Sequence, residues 1–364
     1  THDVRVPGMV YALVLRSAHP VASVKLDLDA AKKIPGVVAA IQLTEEVRWL
    51  GCPIAAVAAL TPELAEDGVR AIVATYTPGA HALTPTQALA EGAPSVGKNG
   101  NIRGPDKRGE LDLVDKAFAE CDAVIEGTWT LPVQHHASLE THGSVVDYRG
   151  GEEATVYCST QNTSGIPGGA ARKLGLKPAQ VTGVVEHMGG GFGSKFDLGL
   201  EGDAACRLSK ELKLPVHLLF DRASEFLAAG NRAGGEHVIK AGAKKSGELT
   251  AFSVRSSRYG GVGAGSNQPL PYIYEPRAMY SEARSVLTHM DGSRAMRAPG
   301  HPQASFVMEG VMDDLAYAIG MDPLEFRKRN VPDGSRELYA RQLDKCAELI
   351  GWNQHAHRSA PDRS

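Results

Sequence analysis

The chain has 364 residues, 39 Lys+Arg against 42 Asp+Glu, a net charge of −3 and 43% apolar content, which suits a soluble globular protein of one large or two smaller domains. No basic stripe or acidic tail stands out, which argues against a nucleic-acid partner, and no apolar run or signal peptide points to a membrane span or an export leader. Cys52, Cys121, Cys158, Cys206 and Cys346 never form C-x-x-C, which excludes iron–sulfur and structural zinc signatures and points to a reducing, cytoplasmic compartment, with the periplasm as the alternative.

The opening THDVRVPGMVYALVLRS has the character of a strand inside a domain, so an upstream segment is expected. After the Pro7-Gly8 turn, residues 10–15 form a β-rich run, and 22–28 are a second strand candidate. Residues 29–33 suit a short helix that Pro35-Gly36 stops. Residues 37–43 and 54–59 are further apolar runs of strand length. Thr61-Pro62-Glu63 opens a helix, with Thr as N-cap, Pro at the first helical position and an acid in the first turn. This order predicts a small α/β domain over 1–76. Residues 77–122 are expected to be a connection, because Pro78, Pro85, Pro94, Pro105 and several glycines crowd its first part.

A second domain is expected over 123–354. Residues 124–131, 143–148, 154–158 and 181–186 have strand character. Gly175 should stop a helix and Lys177-Pro178 should turn the chain. A helix over about 200–213 would bury Ala204, Ala205, Leu208 and Leu212. Residues 303–319 give the clearest helix, with Val307, Val311 and Leu315 on one face and Gly320 at its end. Asp322-Pro323-Leu324-Glu325 starts another. The polar residues 355–364 are expected to fray.

Three segments carry chemistry. His187-Met188-Gly189-Gly190-Gly191-Phe192-Gly193-Ser194-Lys195 follows a strand and leads towards a helix. Its glycines allow positive φ or close approach, and its free N–H groups would cradle an anion; a simple tight turn is the alternative. Gln134-His135-His136-Ala137-Ser138-Leu139-Glu140-Thr141-His142 would place His136, Glu140 and His142 on one face of a strand and His135 on the other. That set suits a metal-dependent hydrolase, or polar residues satisfied at a strand edge. Arg294-Ala295-Met296-Arg297-Ala298-Pro299-Gly300-His301-Pro302-Gln303 holds Arg297 ahead of a helix, where it suits an anionic ligand or plain solvation. Gly260-Gly261-Val262-Gly263-Ala264-Gly265 imitates a dinucleotide loop. Pro269, Pro271 and Pro276 forbid the helix such a loop must open, which leaves a flexible loop.

In this order the segments resemble the molybdopterin-binding large subunit of the xanthine dehydrogenase and aldehyde oxidase family, over its N-terminal half. The resemblance runs through DVRVPGMVYALVLRSAHP (3–20), AAVAALTPELAED (55–67), QHHASLE (134–140), STQNT (159–163), MGGGFGSK (188–195), RAPGHPQ (297–303) and EGVMDDLAYAIGMDPLEFRKRN (309–330). It implies an α+β fold: a small hammerhead-like α/β domain, then the first part of a molybdenum-cofactor-binding α+β domain. It implies a molybdenum–molybdopterin cofactor, in a cytosine dinucleotide or another form, held through the pterin's dithiolene and not by side chains. Gln134 matches the glutamine that approaches an oxygen on the metal. Gly190, Gly191, Phe192 and Gly193 match the loop facing the metal centre, and Arg297 matches an arginine whose main chain lies near it. The implied reaction hydroxylates an electron-poor carbon, in an aldehyde or aromatic N-heterocycle, with water-derived oxygen and a glutamate base.

Three departures from the family pattern matter. The glutamate-bearing G-x-G-E-like segment of the family's second half is missing, and none of Glu140, Glu186 or Glu201 matches it. No catalytic residue is therefore assigned here, and a second molybdenum-binding chain is expected to supply the base. Phe196 stands where xanthine-specific members carry a glutamate; it points to an apolar substrate pocket, or else to core packing. The cysteine-bearing loop of carbon monoxide dehydrogenases is not recognisable. With no cysteines for clusters, an iron–sulfur subunit and a further FAD subunit are the expected electron partners. The alternative is a truncated, non-catalytic remnant or scaffold of the same family.

Overall fold

A computed structural model describes residues 1–265 and 267–354; the tail expected to fray, 355–364, lies outside the described residues. The architecture is mixed α and β, built on three sheets. The largest has seven strands in the order Val181–Val184, Ala154–Cys158, Gly143–Asp147, Val216–Leu219, Val10–Arg16, Pro53–Ala59 and Val37–Gln42. A five-stranded sheet runs Ile102–Gly109, Ala278–Val286, Leu249–Tyr259, Gly234–Ala243 and Ala123–Leu131, and a small third sheet joins Glu46–Val47, Ala22–Asp27 and Val73–Pro78.

Local chemistry accounts for the helix ends. The Thr61 hydroxyl accepts from the Leu64 N–H ahead of helix Pro62–Ala71. The Asp322 carboxylate accepts from the N–H groups of Leu324 and Glu325 ahead of helix Pro323–Asn330. Each such cap contributes about 1 kcal/mol. Helix His301–Ala318 buries Val307, Val311 and Leu315 with Met308 and Met312 against Ile239, Phe252 and Val254 of the five-stranded sheet. Helix Gly199–Leu212 buries Ala204, Ala205 and Leu208 against the seven-stranded sheet, where Leu212 is only half-buried.

Strand Pro53–Ala59 is buried along its whole length. Ala56 and Ala58 enter one core, while Ala55 and Val57 enter another. A strand covered on both faces loses the alternation of polar and apolar residues, and its alanines let the flanking layers approach.

The seven-stranded sheet crosses the boundary expected at residue 76. Val10–Arg16 pairs antiparallel with Pro53–Ala59 and parallel with Val216–Leu219, with Val10 opposite Val216. Residues 1–76 therefore complete a sheet begun by the segment 123–354. The connection expected over 77–122 holds helix Pro85–Leu89 with a Thr84/Gln87 capping box, strand Ile102–Gly109 and helix Leu111–Phe118. That last helix packs Val114 and Phe118 against Ala251 and Tyr280. The glycine run 260–265 opens no helix. Gly260 and Gly263 bridge one another, and the carbonyl of Gly260 accepts from Ser293 N–H at 2.7 Å. Among the described residues no helix is long and apolar enough to cross a membrane.

Candidate functional site

The three chemistry-bearing segments meet in space. The loop 185–198 links strand Val181–Val184 to helix Gly199–Leu212, and the segment 287–300 leads from strand Ala278–Val286 into helix His301–Ala318. The Arg297 N–H donates to the carbonyl of Phe192 at 2.6 Å. Gln134 exchanges two backbone hydrogen bonds with Arg232, at 3.1 and 2.7 Å. Arg232 in turn donates from Nη2 to the Arg297 carbonyl at 2.6 Å and from Nη1 to Gln303 Oε1 at 2.8 Å. Gln134, the glycine loop and Arg297 thus belong to one constellation, joined largely through main chain.

Each of the three loops contains a non-glycine residue in left-handed backbone: Ala137 at φ 49°, Phe192 at φ 52° and Ala298 at φ 55°. Such conformations cost energy and persist where the surroundings fix them, commonly at ligand sites. Gly193, at φ 110°, is more constrained still. A Cβ there would lie 2.6 Å from the carbonyl oxygen of Ala295.

The hydrogen-bonding of the loop leaves a row of donors. Gly189 N–H donates to Glu140 Oε2, Gly193 N–H to Gln161 Oε1 and Ser194 N–H to the Gly191 carbonyl. Among the described residues, the N–H groups of Gly190, Gly191 and Phe192 have no acceptor. Three consecutive free N–H groups are the cradle that an anionic or oxo-bearing group requires. Gly191 is buried, Gly190 half-buried and Phe192 exposed, so the row of donors runs from the interior of the loop to its surface.

A buried polar layer supports the loop. Lys195, fully buried, donates from Nζ to the Glu140 carbonyl and to Ser159 Oγ, both at 2.7 Å. His142 contacts Glu225 twice, through its N–H to Oε2 at 2.8 Å and through Nδ1 at 2.9 Å. Its Nε2 lies 3.3 Å from the Ser194 carbonyl, which also accepts from Arg294 at 2.9 Å. Burial pushes Glu225 upward, but the hydrogen bond and charge of His142 outweigh it and hold the carboxyl below its ordinary range. Arg222 fixes the neighbouring loop by donating to the carbonyls of Ser138 and Leu139.

The hydrolase alternative needed 134–142 to be a strand with His136, Glu140 and His142 on one face. The segment is a loop beyond the Gln134 bridge, and the three side chains turn to different partners. His136 Nε2 contacts the Ala295 carbonyl at 2.7 Å, Glu140 accepts from Gly189 N–H and Ser159, and His142 pairs with Glu225. Among the described residues no group of three His, Cys, Asp or Glu side chains is placed to hold a metal ion. Phe196 is 49% exposed beside the loop, so within this chain it does not pack into a core. Arg232, Gln161 and Glu225 have no role that sequence alone assigns. Only Gln161 carries a signal there, as part of the S-T-Q-N-T segment.

Residues 97–331 match the family described as the molybdopterin cofactor-binding domain. The nicotinate dehydrogenase large molybdopterin subunit of Eubacterium barkeri is 32% identical, over 98% of this chain and 91% of that protein. The aldehyde oxidoreductase molybdenum-binding subunit PaoC of Escherichia coli is 28% identical, over 96% of this chain and 51% of that protein. The crystal structure of quinoline 2-oxidoreductase from Pseudomonas putida superposes with a TM-score of 0.86 at 22% identity, covering 97% of this chain and 52% of the other, which shows the shared fold. The chain thus spans about half of two of these relatives and nearly all of the third.

Proposed function

The chain belongs to the molybdopterin cofactor-binding domain family, and on that premise we propose that it is one part of a molybdenum hydroxylase whose remaining part is a second polypeptide. The observation that carries the proposal is the row of free N–H groups at Gly190, Gly191 and Phe192, tied through Phe192 to Arg297 and so to Gln134. These residues would hold molybdenum–molybdopterin. When bound, that group supplies two-electron oxidation of an electron-poor carbon with oxygen from water.

The chain's own contribution is orientation. The glycine loop presents N–H donors from a backbone that needs no rearrangement, the condition under which such donors stabilise developing charge. Gln134 stands exposed at the rim, where its amide can donate to an oxygen of the ligand. Three observations favour a second chain. Gln134, Leu139 (92% exposed), Phe192, Phe196 and Arg297 are all exposed around the cradle, and exposed apolar patches of this kind mark interfaces or ligand grooves. The glutamate-bearing segment that the family resemblance implies has no match among these residues, which suits a base on another chain. A relative of comparable length is itself named a large molybdopterin subunit. Because the five cysteines are free and scattered, electrons must leave through an iron–sulfur partner, with a FAD subunit beyond it.

The test is elemental analysis of the tagged chain with everything that co-purifies from its native host. Near-stoichiometric molybdenum with a second large polypeptide is expected. No molybdenum and no partner would leave a non-catalytic remnant.

We assign Phe196 to the substrate pocket, which favours an aromatic aldehyde or a less polar N-heterocycle over a purine, whose ring edge needs a hydrogen-bonding partner. Replacing Phe196 by alanine should leave stability within about 1 kcal/mol, because the ring is half exposed. It should lower kcat/KM for aromatic substrates about tenfold, the value of one lost apolar contact. Equal kcat/KM for aromatic and small aliphatic aldehydes in both proteins would remove Phe196 from the pocket.

A further inference from the structure

Among the described residues two arginines are more than nine-tenths buried, Arg232 at 7% exposure and Arg258 at 8%. They differ in their electrostatic surroundings. Arg258 feels the carboxylate of Asp106, whereas among the described residues Arg232 has no charged partner and burial alone acts on it, pulling its pKa down. Its two hydrogen bonds go to neutral oxygens, the Arg297 carbonyl and Gln303 Oε1, and its buried Nε has no partner among the described residues. A guanidinium stays ionised at every physiological pH. Withdrawing one from water without an anion carries a desolvation cost that only its hydrogen bonds offset.

The position of this charge is informative. Arg232 is the residue whose main chain pairs with Gln134 and whose side chain holds the Arg297 carbonyl. Arg297 N–H in turn holds Phe192. The unbalanced positive charge therefore sits at the node joining the three residues that would surround the cofactor. Molybdopterin, with its phosphate and dithiolene, is an anion.

We propose that Arg232 is the fixed counter-charge of the anionic cofactor, and that its charge in the folded chain is compensated only when the cofactor is bound. This rests on the proposed cofactor binding. It adds a residue whose contribution is electrostatic and made from behind the loop, through the peptide of Arg297. The competing reading is a clamp, in which Arg232 merely ties strand Gly234–Ala243 to helix His301–Ala318 through Gln303. A clamp would matter equally with and without the ligand, whereas a counter-charge matters chiefly when the ligand is present.

The experiment compares wild type, Arg232→Lys and Arg232→Gln, each as the tagged chain with its co-purifying partners, from hosts grown with and without molybdate. Molybdenum and pterin phosphate per chain are measured, and Tm is measured for loaded and cofactor-free protein. We expect Arg232→Lys to keep most of the molybdenum and Arg232→Gln to lose about tenfold. Arg232→Gln should also lower the Tm of the loaded protein by several degrees more than that of the cofactor-free protein. Equal molybdenum in Arg232→Gln and wild type would overturn the counter-charge while leaving the proposed function standing. An equal fall in both Tm values would make Arg232 a clamp. Wild type without molybdenum would overturn both.

Discussion

Replacing Gly193 by alanine is expected to destabilise the protein by about 2–5 kcal/mol and to empty the site of cofactor. Two independent penalties combine. The backbone at φ 110° lies where L residues with a Cβ are rarely found, and the added methyl would stand 2.6 Å from the Ala295 carbonyl oxygen and 3.3 Å from Met296 Cα. Both neighbours are main chain, so neither can swing aside. Relief would have to come from moving the 294–300 segment away from the glycine loop, which breaks the Arg297-to-Phe192 hydrogen bond. The denaturant midpoint and the molybdenum content should therefore fall together. A normal midpoint with normal molybdenum would mean that the loop does not need this conformation.

The second large effect is expected at Glu225. Its carboxylate accepts from both the N–H and the imidazole of His142, and both residues are almost wholly buried. Glu225→Ala leaves those donors without an acceptor in a dry environment, at a cost of about 3–5 kcal/mol. Glu225→Gln keeps an acceptor for one donor and should fall between the two. The effect carries a pH signature. Folding holds Glu225 below its unfolded value, so its contribution is fully present above the ordinary carboxylate range and is lost as pH falls through the folded value. The gap between wild type and Glu225→Ala should narrow as pH falls below about 4. A gap that keeps its size down to acid unfolding would show that the side chain packs as a neutral group.

What the sequence disclosed and what it hid follow from the range of the interactions. The starts at Thr61-Pro62 and Asp322-Pro323 were legible because a cap forms within three residues. The helix over His301–Ala318 announced itself by its apolar spacing. The union of residues 1–76 with the later sheet was not legible, because nothing in Val10–Arg16 names Val216 as its partner. Strand Ile102–Gly109 was hidden by its composition, IRGPDKRG. It lies at a sheet edge, is mostly exposed and shows no alternation. At the site, the glycine loop and Gln134 stood out by pattern and family resemblance. Arg232 did not, since a lone arginine in Asn231-Arg232-Ala233 has no spacing to betray it. Its importance appears only when burial and the absence of a carboxylate are seen together.

The pairing of Val10 with Val216 has a consequence during synthesis. A ribosome adding roughly 5–20 residues each second releases the strand Val10–Arg16 some tens of seconds before its parallel neighbour emerges. Through that interval the nascent chain can pair Val10–Arg16 only with Pro53–Ala59, which leaves one apolar edge open. The early strand pair is thus a client for chaperones that attend nascent chains, until about 200 further residues have been made. A ribosome stalled before residue 216 should hold a chain whose Val10–Arg16 edge stays open to chaperones, and one stalled well beyond residue 219 should hold that edge paired.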